Sequence, residues 1–183
     1  MIVVHHLENS RSQRVLWLLE DNPAATVNLR KEARARGVGG ERLIFAKRVS
    51  AAEHLARHRA ADLFLDTLPC NAHTTASDAL WAGLPVLTRV GESFAGRVAA
   101  SLLGAIGLPE LVTTTQAQYE ALAVGLARDS ARLARIRDTL AANRLTTPLF
   151  DTKLFARHIE GAYAQMYERY QSGLTPEHLD VPF

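Results

Sequence analysis

The segment from residue 62 to residue 97 constrains the fold of this chain more than any other part. It begins with a short apolar run, Leu63-Phe64-Leu65, flanked by an aspartate on each side, which is typical of a strand buried inside a parallel sheet. A loop with proline and asparagine follows, then a helical pattern over residues 76–82, and residues 86–88 begin another strand. Strand, loop, helix and strand in this order predict helices packed around a parallel sheet.

The same alternation runs through most of the chain. Strands are predicted at residues 14–19, 42–45, 63–65, 86–88 and 111–112. Helices are predicted at residues 24–36, 51–59, 76–82, 93–103, 116–127, 130–142 and 151–170, with Ser50 capping the second and Leu133, Ile136 and Leu140 forming a buried stripe on the sixth. We therefore expect an α/β fold, a Rossmann-like doubly wound parallel sheet of about five strands with right-handed crossovers.

The two ends of the chain are predicted to lie outside this domain. Residues 1–13 are expected to be a flexible tail, because a strand at 2–4 parallel to the strand at 14–19 would need a crossover of about a dozen residues. A metal site formed by His5, His6 and Glu8 is the alternative for this segment. The predicted division is residues 1–13, a Rossmann-like domain over 14–172 that ends in a long helix, and a loose tail over 173–183.

Composition excludes several classes of partner. The 183 residues suit one α/β domain, and 21 basic against 19 acidic residues give a net charge of only +2. Because the basic residues are dispersed through helices and form no block, we expect no nucleic-acid binding. No apolar run approaches the ~20 residues of a membrane span, and residues 1–10 lack the apolar core of a signal peptide. A cytoplasmic protein without membrane contact is expected.

The single cysteine, Cys70, allows no internal disulfide and fits a reducing compartment. Its neighbour His73 raises the alternatives of a thiol nucleophile or a metal ligand. One cysteine with one histidine is short of the ligands that zinc takes, so a buried or loop-lining thiol is the favoured interpretation.

The start of the helix at residue 76 has the features of an anion site. His73, Thr74 and Thr75 stand between a strand and a helix, where free backbone N–H groups and the positive end of the helix dipole meet two hydroxyls. Ligands of open α/β sheets lie just beyond the carboxyl ends of strands. The alternative is structural, since Thr75-x-x-Asp78 also fits a capping box and the threonines would then only cap the helix.

The run DLFLDTLPCNAHTTASDALWAGLPVLTRVGESFAGRVAASLL resembles the nucleotide-sugar half of protein O-linked N-acetylglucosamine transferases and their bacterial and plant relatives. The resemblance extends from residue 14 to about residue 179, and CNAHTTASD, LWAGLPV and GESFAGRVAAS recur together within it. It implies the C-terminal half of a GT-B glycosyltransferase whose ligand is UDP-N-acetylglucosamine, with no metal or other cofactor. It does not include residues 1–13.

The resemblance also implies the residues of the ligand site. His73, Thr74 and Thr75 match the motif that holds the diphosphate, where amides and hydroxyls meet the charge that grows as UDP leaves. Asp78 matches the acidic residue on the ribose. From the residues alone, Asp78 is equally explained by a favourable interaction with the helix dipole.

A second cluster follows the strand at 42–45, so it belongs to the same edge of the sheet. By resemblance, His54 and Arg57 match positions on the uracil and its surroundings, and Val49 and Ala51 fall where backbone groups meet the base. An exposed helix face is the alternative that the spacing of His54 and Arg57 favours when taken alone. Relatives often carry a lysine at the position of Ala51, and its absence predicts different nucleoside contacts here.

The implied reaction is inverting transfer of N-acetylglucosamine from UDP-GlcNAc to a Ser or Thr hydroxyl of an acceptor protein. The lysine that meets the diphosphate in the family belongs to a strand and helix that precede the position of Arg14 and has no counterpart here, so the catalytic residues are unknown. The expected partner is therefore a missing N-terminal catalytic half. The alternatives are a non-catalytic UDP-binding module or a relative that uses another nucleotide sugar, such as UDP-glucose or GDP-fucose.

The predicted helix over residues 151–170 carries an apolar stripe. Its members are Phe155, Ile159, Tyr163, Met166, Tyr167 and Tyr170. Core packing is the default expectation for such a stripe. The resemblance implies instead that this helix crosses towards the other domain, which would leave some of these side chains without a partner.

Overall fold

The protein is described here from a computed structural model, which covers residues 2–6, by their backbone alone, and residues 14–181. The strands are β1 (Ile2–His6), β2 (Arg14–Leu19), β3 (Leu43–Ala46), β4 (Leu63–Leu65), β5 (Val86–Arg89) and β6 (Val112–Thr113). The α-helices are α1 (Pro23–Ala35), α2 (Ala51–Arg57), α3 (Thr74–Trp81), α4 (Val98–Ala105), α5 (Gln116–Arg128), α6 (Ser130–Asn143) and α7 (Thr152–Gln171). The predicted elements are thus present, with ends displaced by one or two residues in most cases.

The six strands form one sheet in the order β3-β2-β1-β4-β5-β6. The pairs β2–β3, β4–β5 and β5–β6 are parallel, and β1 is antiparallel to both β2 and β4, so the other five strands all point the same way. This spatial order is the one found in doubly wound nucleotide-binding folds. The predicted parallel sheet of about five strands is confirmed.

The strand β1 is the main difference from the sequence prediction. A flexible tail was expected, but β1 lies in the centre of the sheet, with Ile2 opposite both Leu18 of β2 and Leu65 of β4. The reason is that β2 and β4 each present an edge of unpaired N–H and C=O groups, which a strand between them satisfies. The short segment 7–13 permits a hairpin but no parallel crossover, so β1 runs antiparallel. The side chains of a metal site at His5, His6 and Glu8 lie outside the described residues.

Local capping residues set the starts of the helices that border the site. Ser50 caps α2 as predicted: its hydroxyl accepts from the N–H of Glu53 at 3.4 Å, and the Glu53 carboxylate accepts from the N–H of Ser50 at 3.1 Å. The Ser50 hydroxyl also donates to the Glu53 carboxylate at 2.7 Å, and this hydrogen bond, followed by the one from the Ser50 N–H, lowers the pKa of Glu53. The predicted helix at 93–103 begins instead with a separate 3₁₀ turn over Phe94–Gly96, before α4.

The core lies between the sheet and the helices α3 to α6. Phe64 of β4 and Val86 and Leu87 of β5 are almost fully buried. The predicted stripe on α6 is confirmed, because Leu133, Ile136 and Leu140 are all buried in this core. Gly83 ends α3 with a φ of +87°, a conformation that favours glycine, and the chain turns there into β5.

The helix α7 does not pack into the core, so the default expectation for its stripe is wrong. Phe155, Tyr163, Tyr167 and Tyr170 are between 63% and 77% exposed. No described residue of α7 is buried, so this face of the helix is left uncovered by the described part of the chain.

Residues 174–181 form no helix or strand, yet they lie against α7. Arg169 donates to the carbonyl oxygen of Thr175 at 2.6 Å and forms an ion pair with Glu177. This segment is anchored, whereas a loose tail was expected.

Candidate functional site

A buried carboxylate organises the loop that leads from β4 to α3. The side chain of Asp66 accepts hydrogen bonds from the hydroxyl of Thr88 at 2.7 Å, from the N–H of Ala72 at 2.7 Å and from the N–H of Thr67 at 2.8 Å. The Tyr119 hydroxyl donates to its backbone carbonyl at 2.8 Å. Burial raises the pKa of Asp66, against the opposing effect of these hydrogen bonds. Asp66 therefore holds both ends of the loop, and sequence reasoning missed it.

The start of α3 is not capped by a threonine. His73 is the N-cap residue, its carbonyl accepts from the N–H groups of Ala76 and Ser77 at 3.1 Å, and its side chain makes no capping hydrogen bond. Thr74 and Thr75 are the first two helical residues and are exposed. The alternative prediction of a capping box formed by Thr75 and Asp78 is thus wrong, because α3 begins one residue before Thr75.

The polar groups at this helix start are available to a ligand. Between residues 14 and 181, the hydroxyls of Thr74 and Thr75 have no hydrogen-bond partner. The first N–H groups of a helix have no partner inside the helix and carry its positive end. The imidazole of His73 lies beside them, with Nε2 3.3 Å from the carbonyl oxygen of Ala95 and its ring edge-on to Phe94. This arrangement suits an anion.

A cavity of about 410 Å³ connects this helix start to α2. It contains four predicted residues of the second cluster, Val49, Ala51, His54 and Arg57, together with Thr75 of the first. Four residues of the second cluster and one of the first therefore line a single cavity at the carboxyl ends of the parallel strands. His73, Thr74 and Asp78 do not line this cavity: His73 and Thr74 precede Thr75, and Asp78 follows it by three residues on α3.

Four further residues line the same cavity and were not predicted: Trp17, Leu18, Leu19 and Arg48. The first three end β2, whose carboxyl end borders the site. The rule that ligands lie beyond strand ends could have found them, because β2 was a predicted strand.

Arg57 is held in place at the wall of the cavity. Both of its terminal nitrogens lie 3.2 Å from the carbonyl oxygen of Lys47, to which they donate. Its guanidinium carbon is 5.6 Å from the centre of the Trp17 ring, within the range of a cation–π contact. With Arg48, it gives the cavity two positive side chains.

His58, the residue that follows α2, is buried next to this wall of the cavity. It is only 2% exposed, and its Nδ1 lies 2.8 Å from the carbonyl oxygen of His54. Desolvation lowers the pKa of His58, and the nearby His54 and Arg57 act in the same direction. Its hydrogen bond to His54 and the carboxylate of Asp78 oppose them.

This shift predicts a pH dependence of folding. Since the pKa of His58 is lower in the folded than in the unfolded protein, the unfolded chain takes up the proton first as the pH falls below about 6.5. The stabilising contribution is therefore complete above that pH and is lost below it. We expect the free energy of unfolding to fall more steeply in wild type than in His58→Phe, by at most about 1.4 kcal/mol per pH unit. Urea unfolding from pH 7.5 to 5 measures this, and equal slopes would contradict it.

Other kinds of site have little support in the described chain. No cluster of three or more His, Cys, Asp or Glu side chains able to hold a metal ion occurs among the residues described. Cys70 is an exposed free thiol in the loop before α3. No helix within the described ranges is long and apolar enough to cross a membrane.

The five parallel strands, the open helix start and the cavity at the strand ends define a Rossmann-like α/β domain, a class whose ligands lie beyond the carboxyl ends of the strands. The model of glycosyl transferase family 41 matches residues 3–159. The chain belongs to this family. The matched range begins inside β1, a segment that the sequence analysis placed outside the family.

Relatives of known name agree with this assignment. The chain is 39% identical over 165 residues to a UDP-N-acetylglucosamine–peptide N-acetylglucosaminyltransferase of Caenorhabditis elegans, covering 90% of this chain and 14% of the relative. It is 40% identical over 167 residues to a probable enzyme of the same name, SEC, of Arabidopsis thaliana, covering 91% of this chain and 17% of the relative. Both relatives are thus several times longer than the part matched here.

A solved structure agrees as well. The K341M mutant of an O-GlcNAc transferase from Thermobaculum terrenum superposes with a TM-score of 0.79 at 38% identity, over 84% of this chain and 30% of that one. The likeness supports the GT-B fold, and this chain corresponds to under a third of that protein.

Proposed function

We propose that this chain is the UDP-sugar-binding half of a protein O-GlcNAc transferase. The observation that carries the proposal is the single cavity in which His54, Arg57 and Thr75 meet at the carboxyl edge of the parallel sheet. A nucleoside diphosphate has an aromatic base at one end and negative charge at the other. The cavity joins a wall with fixed guanidinium and imidazole groups to an open helix start, in the order that such a ligand requires.

In this proposal the diphosphate lies at the start of α3. The hydroxyls and N–H groups of Thr74 and Thr75 donate to phosphate oxygens, and His73 lies beside them. As the bond to the sugar breaks, negative charge grows on the leaving UDP, and the fixed dipoles at the helix start stabilise it. Asp78, one turn further along α3, is assigned to the ribose, where a carboxylate accepts from hydroxyl groups.

The nucleoside lies against α2 in the same proposal. Arg57, fixed by Trp17 and by the carbonyl of Lys47, presents a planar group with several donors to the uracil. Val49 and Ala51 bring backbone groups to the base. Arg48 lines the same cavity and adds the positive charge that the absent lysine at position 51 would have supplied.

Transfer to a Ser or Thr hydroxyl is assigned to the complete enzyme. Catalysis requires donor and acceptor to be positioned across a cleft, and this chain supplies one wall. The exposed aromatic face of α7, with Tyr163, Tyr167 and Tyr170, is the proposed contact with the N-terminal catalytic half. The cytoplasmic location expected from the sequence belongs to this proposal too.

Titration calorimetry with UDP and with GDP tests the binding part. We expect UDP to bind the chain and GDP to bind at least about tenfold more weakly, since the base is read by groups fixed on α2. Preferential binding of GDP would indicate a different sugar donor. No binding of UDP at all would refute the proposed function.

A transfer assay tests the second part. Labelled UDP-GlcNAc and a Ser/Thr peptide are incubated with the chain, with a full-length family member as positive control. UDP binding without transfer is the expected result, because the other half of the cleft is not supplied. Efficient transfer by the chain alone would overturn the assignment of catalysis to a two-half enzyme.

A further inference from the structure

The α2 side of the cavity, with His54 and Arg57, is called the nucleoside wall below. It packs against a buried histidine. His58 follows α2 and is 2% exposed, so it cannot touch a ligand in the cavity. Its ring lies edge-on to the ring of His54, with 4.6 Å between ring centres and 80° between the planes. This is the favourable geometry for two aromatic rings, and it leaves His54 few alternative orientations.

The hydrogen bonding of His58 fixes its own orientation. A carbonyl oxygen can only accept, so the Nδ1 atom 2.8 Å from the His54 carbonyl oxygen carries the proton and donates. The other ring nitrogen, Nε2, is buried and has no hydrogen-bond partner among the described residues. An unpartnered buried nitrogen costs free energy, which a purely structural residue at this position would avoid by being apolar.

His58 is also within electrostatic reach of the first cluster of the site. The carboxylate of Asp78 on α3 acts electrostatically on the His58 imidazole, as do Arg57 and His54 on α2. His58 is therefore in contact with α2 and within electrostatic reach of α3, the two helices between which the nucleotide is proposed to lie.

We propose that His58 is a positioning residue for the nucleoside, which holds the His54 ring in its binding orientation. This inference rests on the proposed function of the cavity. It assigns His58 no contact with the ligand, so its effect must pass through His54. Two features of His58, its ring edge and its Nδ1 donor, can be removed separately by substitution. His58→Phe keeps a ring against His54 and removes the Nδ1 donor, whereas His58→Asn keeps a donor at the same place and removes the ring edge.

The test compares two ligands on the wild-type chain and both variants by calorimetry. UDP affinity is expected to fall about two- to tenfold in each variant. His58→Phe loses the hydrogen bond that fixes the ring edge against His54, and His58→Asn loses the ring itself, so in both cases binding must order the His54 side chain. Affinity for inorganic pyrophosphate, which reaches only the start of α3, should stay within about twofold of wild type. A residue needed merely for folding would lower both affinities together, and that result would overturn the proposal. Unchanged UDP affinity in both variants would overturn it as well.

A double-mutant cycle gives a further check. If His58 acts through His54, the variant His54→Ala/His58→Phe should bind UDP no more weakly than His54→Ala alone. Additive losses would contradict the mechanism.

The ring orientation can also be followed without any nucleotide. The imidazole ¹H–¹³C NMR signals of His54 should shift or broaden in both His58 variants, whereas those of the remote His178 in the segment after α7 should not. This measurement separates the two proposals. Failure of wild type to bind UDP refutes the proposed function and the positioning role that rests on it, whereas undisturbed His54 signals together with intact UDP binding refute the positioning role alone.

Discussion

Asp66→Ala is expected to lower the free energy of unfolding by about 3–5 kcal/mol, more than any other single substitution around the site. The carboxylate receives three hydrogen bonds, and one donor, the hydroxyl of Thr88, is fully buried. Alanine would leave this hydroxyl and the N–H groups of Thr67 and Ala72 without their acceptor. Urea unfolding followed by circular dichroism gives the number.

The variant Asp66→Asn separates charge from shape. Burial raises the pKa of Asp66, which means that the charged form is held at a cost. Asparagine keeps one oxygen for the two N–H groups and presents its amide to the Thr88 hydroxyl, so a loss of only about 1 kcal/mol is expected. Asp138→Ala, on the exposed face of α6, is the matched control and should change stability by less than about 0.5 kcal/mol. A loss for Asp66→Ala no larger than that of the control would refute the anchoring function.

Asp66→Ala should also weaken UDP binding in the fraction that remains folded. The loop anchored by Asp66 ends at His73, and its displacement moves the start of α3 away from the nucleoside wall. A loss of at least about tenfold is expected, since a small misplacement of binding groups has a large effect. Calorimetry at low temperature, where the variant is folded, measures it.

The order of elements, and the meeting of several distant residues in one cavity, could be predicted because they depend on local patterns. Short apolar strands, capping residues such as Ser50 and the glycine after α3 each act within a few residues of sequence. The carboxyl ends of parallel strands then meet at one edge by geometry, which is why Val49, His54 and Thr75 were expected in one site and line one cavity.

Contacts between distant segments could not be predicted. The position of β1 depends on two strand edges whose neighbour the sequence does not specify, so a tail was the natural expectation. Asp66 resembled any polar residue after a strand, and its function appears only when Thr88, 22 residues away, lies beside it. His58 was missed for the same reason, because burial of a histidine depends on packing and leaves no periodic signal.

The helix α7 shows the limit of periodicity in another way. Its apolar stripe was correctly recognised as one face of a helix, but the pattern states only that the face is to be covered. The pattern does not specify whether this face packs against the core of the same domain or against another part of a longer protein. The second case is the one put forward in the proposed function, and it is consistent with the exposure of the tyrosines of α7.

Thr75→Val is expected to reduce UDP affinity about ten- to a hundredfold while leaving stability almost unchanged. The hydroxyl is exposed and has no partner between residues 14 and 181, so the folded protein loses no hydrogen bond with it. In the proposed complex the same hydroxyl donates to a charged phosphate oxygen, an interaction of about 1.5–3 kcal/mol. His73→Ala should behave similarly, with a loss of about tenfold, because among the described residues the His73 side chain makes only one hydrogen bond, a long one to the Ala95 carbonyl oxygen.

The control for this substitution is Thr152→Val, which removes an exposed hydroxyl at the first turn of α7. It should change neither stability nor UDP affinity. Uridine, which lacks phosphate, should bind Thr75→Val and wild type equally, since the hydroxyl is assigned to the diphosphate alone. If the melting temperature of Thr75→Val fell together with its UDP affinity, the hydroxyl would be shown to stabilise the folded state. That result would contradict the interpretation of the start of α3 as an anion site. A selective loss of UDP, with uridine and stability unaffected, requires the charged group to lie at this helix start.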